Sequence, residues 1–403
     1  MEIGILTYWN STDNYGQILQ CYALQYFLKR QGHNAYLIKY SPTTHQNSIK
    51  KLIVIIRKVA NNLTIKGIKY HFSKEREENK LKQKEEFNQI LKNKQLNKIR
   101  EFDLFRNTYI KSYPTEYKSI NELKKCPPKV DILICGSDQI WHNSYSDSNT
   151  SGWFLHFGDK KILRIAYAAS IGHKLNTKDL KLFKKLLLPL DAISVREQQV
   201  KEYAIKVGYK NTSVVLDPTL LLNKEDYKFT DNNTNTACKN TLTPYVFIYI
   251  LNIKTPEDLS YDKIENYCKA NNYNIKVVTS SGYCPAREIL PNTPNVYATI
   301  PEWLNLLEKA ECVITTSFHG MVFSLIMKKK FIVIPLKQEY SASNERMEYL
   351  LNKLKLEDRI YNPTLSFTQQ MEKPIDWSFV SNQIQILKDE SITFLLNSIN
   401  IQK

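Results

Sequence analysis

The chain has 403 residues and a mass of 47.1 kDa, with 42% hydrophobic and 24% charged residues. That is too long for one small core and too apolar for a disordered chain, so two domains are expected. The longest purely aliphatic run, Leu52 to Ile56, is far short of the roughly 20 residues a spanning helix needs, and Met1 to Leu6 resembles a strand rather than a signal peptide, so a cytoplasmic protein is expected.

In chain order, Ile3 to Tyr8 is a short apolar strand, followed by the polar loop Asn10 to Gly16. Gln17 to Arg30 has apolar residues at helical spacing and ends at Gly32, a plausible residue just past a helix end; Ala35 to Tyr40 is again strand-like. This is a βαβ unit of a parallel sheet. A basic segment interrupts the pattern over about residues 46–112: residues 48–111 carry 17 Lys and Arg against 7 Asp and Glu, most of the net +16. Strands resume at Val130–Cys135, Arg164–Ala169, Ala192–Val195 and Val214–Leu216, and Asp217-Pro218-Thr219 stops the run. Leu220 to Thr243, rich in Asn and Thr, has the composition of an interdomain connection.

A second series begins at Tyr245–Leu251. It continues with a helix near Lys263–Asn271, strand Ile275–Thr279, a helix opened by Pro301, strand Cys312–Thr315, a helix Gly320–Met327 and strand Phe331–Pro335. The tail, Met347–Lys355 and Trp377–Asn400, is helical. The pattern predicts an α/β protein of two doubly wound domains facing across a cleft. The first spans residues 1–225 and carries the basic helical insertion, the second spans 244–375, and a helical tail covers 376–403.

The seven cysteines form no C-x-x-C pair and argue against a zinc cluster or disulfide framework. No P-loop, G-x-G-x-x-G, H-E-x-x-H or G-x-S-x-G motif occurs, and no nucleic-acid motif accompanies the charge. Lys50, Lys51, Arg57 and Lys58 flank an apolar stretch that either packs on its own domain or rests on an anionic membrane surface.

Ligands of open parallel sheets bind outside the carboxyl ends of strands. Four loops there are chemically loaded. Asp13-Asn14-Tyr15-Gly16-Gln17 enters a helix. Gly136-Ser137-Asp138-Gln139-Ile140-Trp141 offers groups for sugar hydroxyls and an indole to stack on a sugar face. Ser194-Val195-Arg196-Glu197 puts a cation at a strand end, where it needs solvent, a carboxylate partner such as Glu197, or an anionic ligand. Thr315 to Gly320 places His319 among hydroxyls at a helix start.

These loops, with Leu216-Asp217-Pro218-Thr219 and in this order, resemble the polysaccharide pyruvyl transferase family, from about residue 2 to about residue 360. The resemblance implies a fold like the two-domain GT-B glycosyltransferases. It also implies transfer of pyruvate from phosphoenolpyruvate, the co-substrate, onto two hydroxyls of one sugar of a glycan or lipid-linked precursor, giving a cyclic ketal; no further cofactor or metal is called for. It puts Arg196 at the donor and makes His319 the acid/base. Several family members read Arg-Leu-His where this chain has Ser317-Phe318-His319, so either another cation replaces that arginine, with Arg346, beyond another strand end, the candidate, or the donor differs. Ser317 and the Gly320 N–H would assist at the donor. Asp138, able to deprotonate a hydroxyl, would face the acceptor with Asn14, Gln17, Gln139 and Trp141. A nucleotide-sugar glycosyltransferase of surface-polysaccharide synthesis on the same fold is the alternative.

Overall fold

The computed structural model of the protein describes residues 1–42, 94–142, 145, 147–229, 243–253, 255–280, 290 and 293–402. Most of the basic insertion, including the four cations considered for membrane contact, lies outside them. Among the described residues, no helix is long and apolar enough to cross a membrane and no group of three or more potential ligands could hold a metal ion.

Two wholly parallel sheets organise the chain. The first contains β1 (Glu2–Leu6), β2 (Asn34–Tyr40), β3 (Ser112–Tyr117), β4 (Ile132–Cys135), β5 (Leu163–Ala169), β6 (Ala192–Val195) and β7 (Ser213–Val214), in the order β3-β2-β1-β4-β5-β6-β7. The second contains β8 (Tyr245–Ile250), β9 (Asn274–Thr279), β10 (Cys312–Thr315) and β11 (Lys330–Val333), in the order β11-β10-β8-β9. Central strands such as β4 and β8 are buried along their whole length, which is why they are continuous apolar runs. The α/β class and the two series of parallel strands thus follow from the apolar pattern. The polar β3 at the sheet edge escapes that pattern.

Helices are fixed by local chemistry. In α1 (Tyr15–Arg30) the Asn14 side chain accepts the Gln17 N–H, Lys29 and Arg30 occupy the last turn, and Gly32 follows at φ +81°. In α7 (Ile300–Lys309) Thr299 and Glu302 form a capping box around Pro301. Between them lie α2 (Phe102–Tyr109), α3 (Ile120–Lys125), α4 (Thr177–Leu186), α5 (Gln198–Lys206) and α6 (Tyr261–Ala270); α8 (Phe318–Ile326), α9 (Glu345–Lys353), α10 (Phe367–Glu372) and α11 (Trp377–Ile399) complete the chain.

One hydrophobic cluster joins the two sheets: Ile18, Leu24, Tyr167, Phe247, Trp303, Phe323 and Leu351 all belong to it. The start of the expected connection belongs to it too. Leu220, Leu221, Leu222 and Tyr227 are buried there in short 3₁₀ turns that pack against α1, α8 and α11, so this stretch is core rather than linker. The tail also departs from a free-standing appendage. α11 returns to the first domain, where Ser391 Oγ accepts the Leu216 N–H at 2.9 Å and Lys388 donates to Asn223.

Candidate active site

In each sheet the strand order reverses once, between β1 and β4 and between β8 and β10. Such switch points leave a crevice at the carboxyl ends of the strands. Here both crevices open on one cleft. His319, just past β10, lies so close to Gly16, at the start of α1, that a Cβ on Gly16 would sit 2.1 Å from His319 Nδ1. Only glycine permits this approach.

At the centre is Asp217, buried just beyond β7. Its Oδ2 accepts from Ser137 Oγ at 2.7 Å and from Arg196 Nη1 at 2.9 Å, and lies 3.5 Å from His319 Nε2. Its Oδ1 accepts from the Thr219 N–H at 3.0 Å and the Thr219 hydroxyl at 2.6 Å. Burial opposes the charge, but His319, Arg196 and Thr219 together outweigh it and hold the carboxyl well below its usual range.

Arg196 is buried, and its Nη2 lies 3.7 Å from Asp138 Oδ1. Its guanidinium sits 4.6 Å from the centre of the Phe318 ring, and that of Arg346, from the first turn of α9, sits 5.5 Å from the same ring. Burial and then the nearby Arg196 draw Arg346 down to about 10, so it stays cationic at neutral pH. Arg196 Nε and Nη2, Arg346 Nε and His319 Nε2 are all inaccessible and have no hydrogen-bond partner. Two guanidiniums near one ring, with unfilled donors, have the charge and geometry to hold an oxyanion. The adjoining cavity is lined by Arg196, Asp217, Phe318, Arg346 and, from α11, Glu390 and Ser391.

The structure therefore brings His319, Arg196, Arg346 and Asp138 to one place. Asp138 is held at φ +74°, a left-handed conformation that aims it back at the Arg196 side. Ser317 caps α8, its Oγ accepting the Gly320 N–H at 3.3 Å. That N–H is consequently taken and does not serve a ligand as expected; Gly320 is needed instead because a Cβ there would meet Thr315 Oγ1 at 2.2 Å. Asn14 caps α1, and Gln17 Oε1 accepts the Ser11 N–H at 3.0 Å, so both shape the loop at the cleft edge. Gln139 Nε2 donates across the cleft to Ser343 Oγ at 3.2 Å.

Two further expectations fail. Trp141 is wholly buried, stacked on Phe154 at 4.7 Å, with its indole N–H donating to the Trp153 carbonyl, so no face is left for a sugar. Glu197 is not the partner of Arg196: its Oε1 accepts from Ser170 Oγ at 2.8 Å and from the Ile171 N–H, and Asp217 takes the guanidinium. Asp217 and Phe318 lie in motifs evident in the sequence, but the sequence alone gives neither a role in the site. The available signal was an Asp directly after a strand and before Pro-Thr, a place where a buried carboxylate caps a turn.

Among solved structures, the chain is similar to the UDP-GlcNAc 2-epimerase of Methanocaldococcus jannaschii in complex with UDP-GlcNAc and UDP, at 12% identity and a TM-score of 0.48 over 96% of this chain and 100% of that one. It is similar also to the Neisseria meningitidis UDP-GlcNAc 2-epimerase bound to UDP-GlcNAc, at 11% identity and a TM-score of 0.46 over 98% and 100%. No curated protein matches the chain. The model of one family matches residues 14–338, about four-fifths of the chain, and spans every loop of the cleft described above except the one that carries Arg346. The chain belongs to the polysaccharide pyruvyl transferase family, a family of transferases.

Proposed function

We propose that this protein transfers pyruvate from phosphoenolpyruvate to two hydroxyls of one sugar in a glycan or lipid-linked glycan precursor, forming a cyclic ketal. The supporting observation is the pair of guanidiniums, Arg196 and Arg346, beside Phe318, with three buried N–H donors unfilled. Their fork geometry suits a compact molecule bearing both carboxylate and phosphate. Arg346 then stands in for the arginine that the Ser317-Phe318-His319 sequence lacks.

In this scheme His319, held by Asp217, gives a proton to the methylene carbon of the donor, which becomes a methyl group. Positive charge develops at the neighbouring carbon, and a sugar hydroxyl attacks it while Asp138 takes the hydroxyl proton. Phosphate leaves with its bonding pair and carries off the proton held by Asp138, the second hydroxyl closes the ring, and its proton returns to His319. Asp217 takes no proton; it fixes Arg196 and faces His319.

The test is purified protein with phosphoenolpyruvate and a panel of glycans, read by phosphate release and by the mass gain of the glycan. Release should depend on a glycan and fall at least about a hundredfold in His319→Ala. Thermal stabilisation by UDP or GDP sugars with none by phosphoenolpyruvate would replace this reading with that of a nucleotide-sugar glycosyltransferase.

A further inference from the structure

Outside residues 48–111 the chain carries only +6 of its net +16, and residues 174–188 hold +4 of that, as Lys174, Lys178, Lys181, Lys184 and Lys185 against Asp179. These residues build α4 and its two ends. All five lysines are exposed. Lys178, Lys181 and Lys185 recur at spacings of three and four, so they share one face of the helix, and Lys184 adjoins it. The opposite face is committed to the core: Phe183 and Leu187 are buried in it, and Leu180 and Leu186 pack against it. Leu188, three residues past Lys185, continues the outer line and is 69% exposed, more than any other large apolar side chain among the described residues.

This face has no counter-ion of its own. Elsewhere Lys118, Lys224, Lys269, Lys330 and Lys373 each sit within ion-pair distance of a carboxylate. Among the described residues none of the five lysines around α4 does, and Asp179 is engaged in the capping box with Asn176. Like charges stacked along one side of a helix repel one another, and an anionic surface laid against them offsets that repulsion.

We propose that the outer face of α4 rests on an anionic lipid bilayer, with its lysines among the headgroups and Leu188 reaching beneath them. The exposed leucine favours a bilayer over a nucleic acid, whose phosphates offer it no apolar layer. The helix also begins beside the cleft. Gly172, two residues before Lys174, is packed so closely on Gln139 that a Cβ there would meet Gln139 Nε2 at 1.9 Å, and Gln139 reaches across the cleft to Ser343. A bilayer along α4 therefore adjoins the mouth of the cleft, where a lipid-linked acceptor would enter. The acceptor's part in this rests on the transferase reading above, whereas the docking surface does not.

The experiment is co-sedimentation of the full chain with vesicles of phosphatidylcholine alone and of phosphatidylcholine with an equal part of phosphatidylglycerol. The protein should bind the anionic vesicles about tenfold or more tightly and leave them at high salt. Lys178→Gln with Lys181→Gln and Lys185→Gln should weaken that binding about tenfold or more without lowering the melting temperature, and Leu188→Ser about threefold. Lys269→Gln with Lys309→Gln and Lys373→Gln removes the same charge from the second domain and should change binding less than about twofold. Equal binding to both kinds of vesicle or to neither, an α4 variant that binds like wild type, or a second-domain variant that weakens as much would overturn the assignment, since the insertion or net charge alone would then account for any binding. Duplex DNA bound in place of vesicles, and lost in the α4 variant, would hand the face to a nucleic acid instead. Phosphate release onto a soluble glycan is untouched by any of these outcomes, so the docking surface and the transfer reaction fail separately.

Discussion

Asp217 is where the site and the stability of the protein meet. One buried carboxylate accepts from Ser137, Arg196 and both donors of Thr219, and faces His319. Asp217→Asn keeps the shape but strips the charge, leaving Arg196 buried without its closest counter-ion. Removing one partner of a buried pair typically costs about 3–5 kcal/mol, so denaturant titration should show a loss of about that size, together with a fall in phosphate release of about a hundredfold or more. The pH dependence has a fixed sign. Because the folded carboxyl is held low, its contribution is complete above the unfolded value of about 4 and is lost as pH falls from there toward the folded value. The stability gap between wild type and Asp217→Asn should therefore narrow below about pH 4, and a gap independent of pH would show that the charge is not what Asp217 contributes.

The start of α8 shows how one element serves both packing and chemistry. Ser317 caps it, Gly320 lets it approach β10, and Phe318 and His319 are thereby delivered into the cleft. Ser317→Ala should cost about 1 kcal/mol, while Ser317→Asn, which also caps, should recover most of it. If phosphate release tracks stability across the two variants, the hydroxyl acts through the helix; if both lose release alike, it acts on the donor. Elements such as this were legible because their causes are local: an apolar run, then hydroxyls, then a glycine. What was not legible was pairing over distance. Trp141 has the sequence context of an exposed stacker, and only the fold brings Phe154 and Phe183 against it. Glu197 adjoins Arg196 in sequence, yet at a strand end successive side chains point to opposite faces, which gives the guanidinium to Asp217 instead. The edge strand β3 was missed because Ser112, Thr115 and Glu116 need no apolar neighbours there.

At the scale of the molecule, the two domains are joined by a shared apolar layer and by a few polar ties at the rim. Gln139 reaches Ser343, and Glu345 Oε1 accepts the Gln199 N–H at the start of α5, at 2.8 Å. The second tie is poised to respond to pH. Burial raises the Glu345 carboxyl to about 7, with Glu197, Glu202 and Glu348 adding to the shift and the Gln199 N–H opposing it. An acid whose folded value lies above its unfolded value near 4.3 contributes fully below that value and loses the contribution as pH rises through about 7. Wild type should thus lose thermal stability relative to Glu345→Gln as pH rises from about 5, most steeply between the unfolded and folded values and levelling off above about 7, because the variant keeps a neutral group at the same place. Since Arg346 is the next residue on the same turn, binding of phosphoenolpyruvate should weaken over the same interval in wild type and less so in the variant. Melting curves whose difference stays constant from pH 5 to 8 would mean that Glu345 titrates as it does in the unfolded chain and that the rim between the domains does not sense protons.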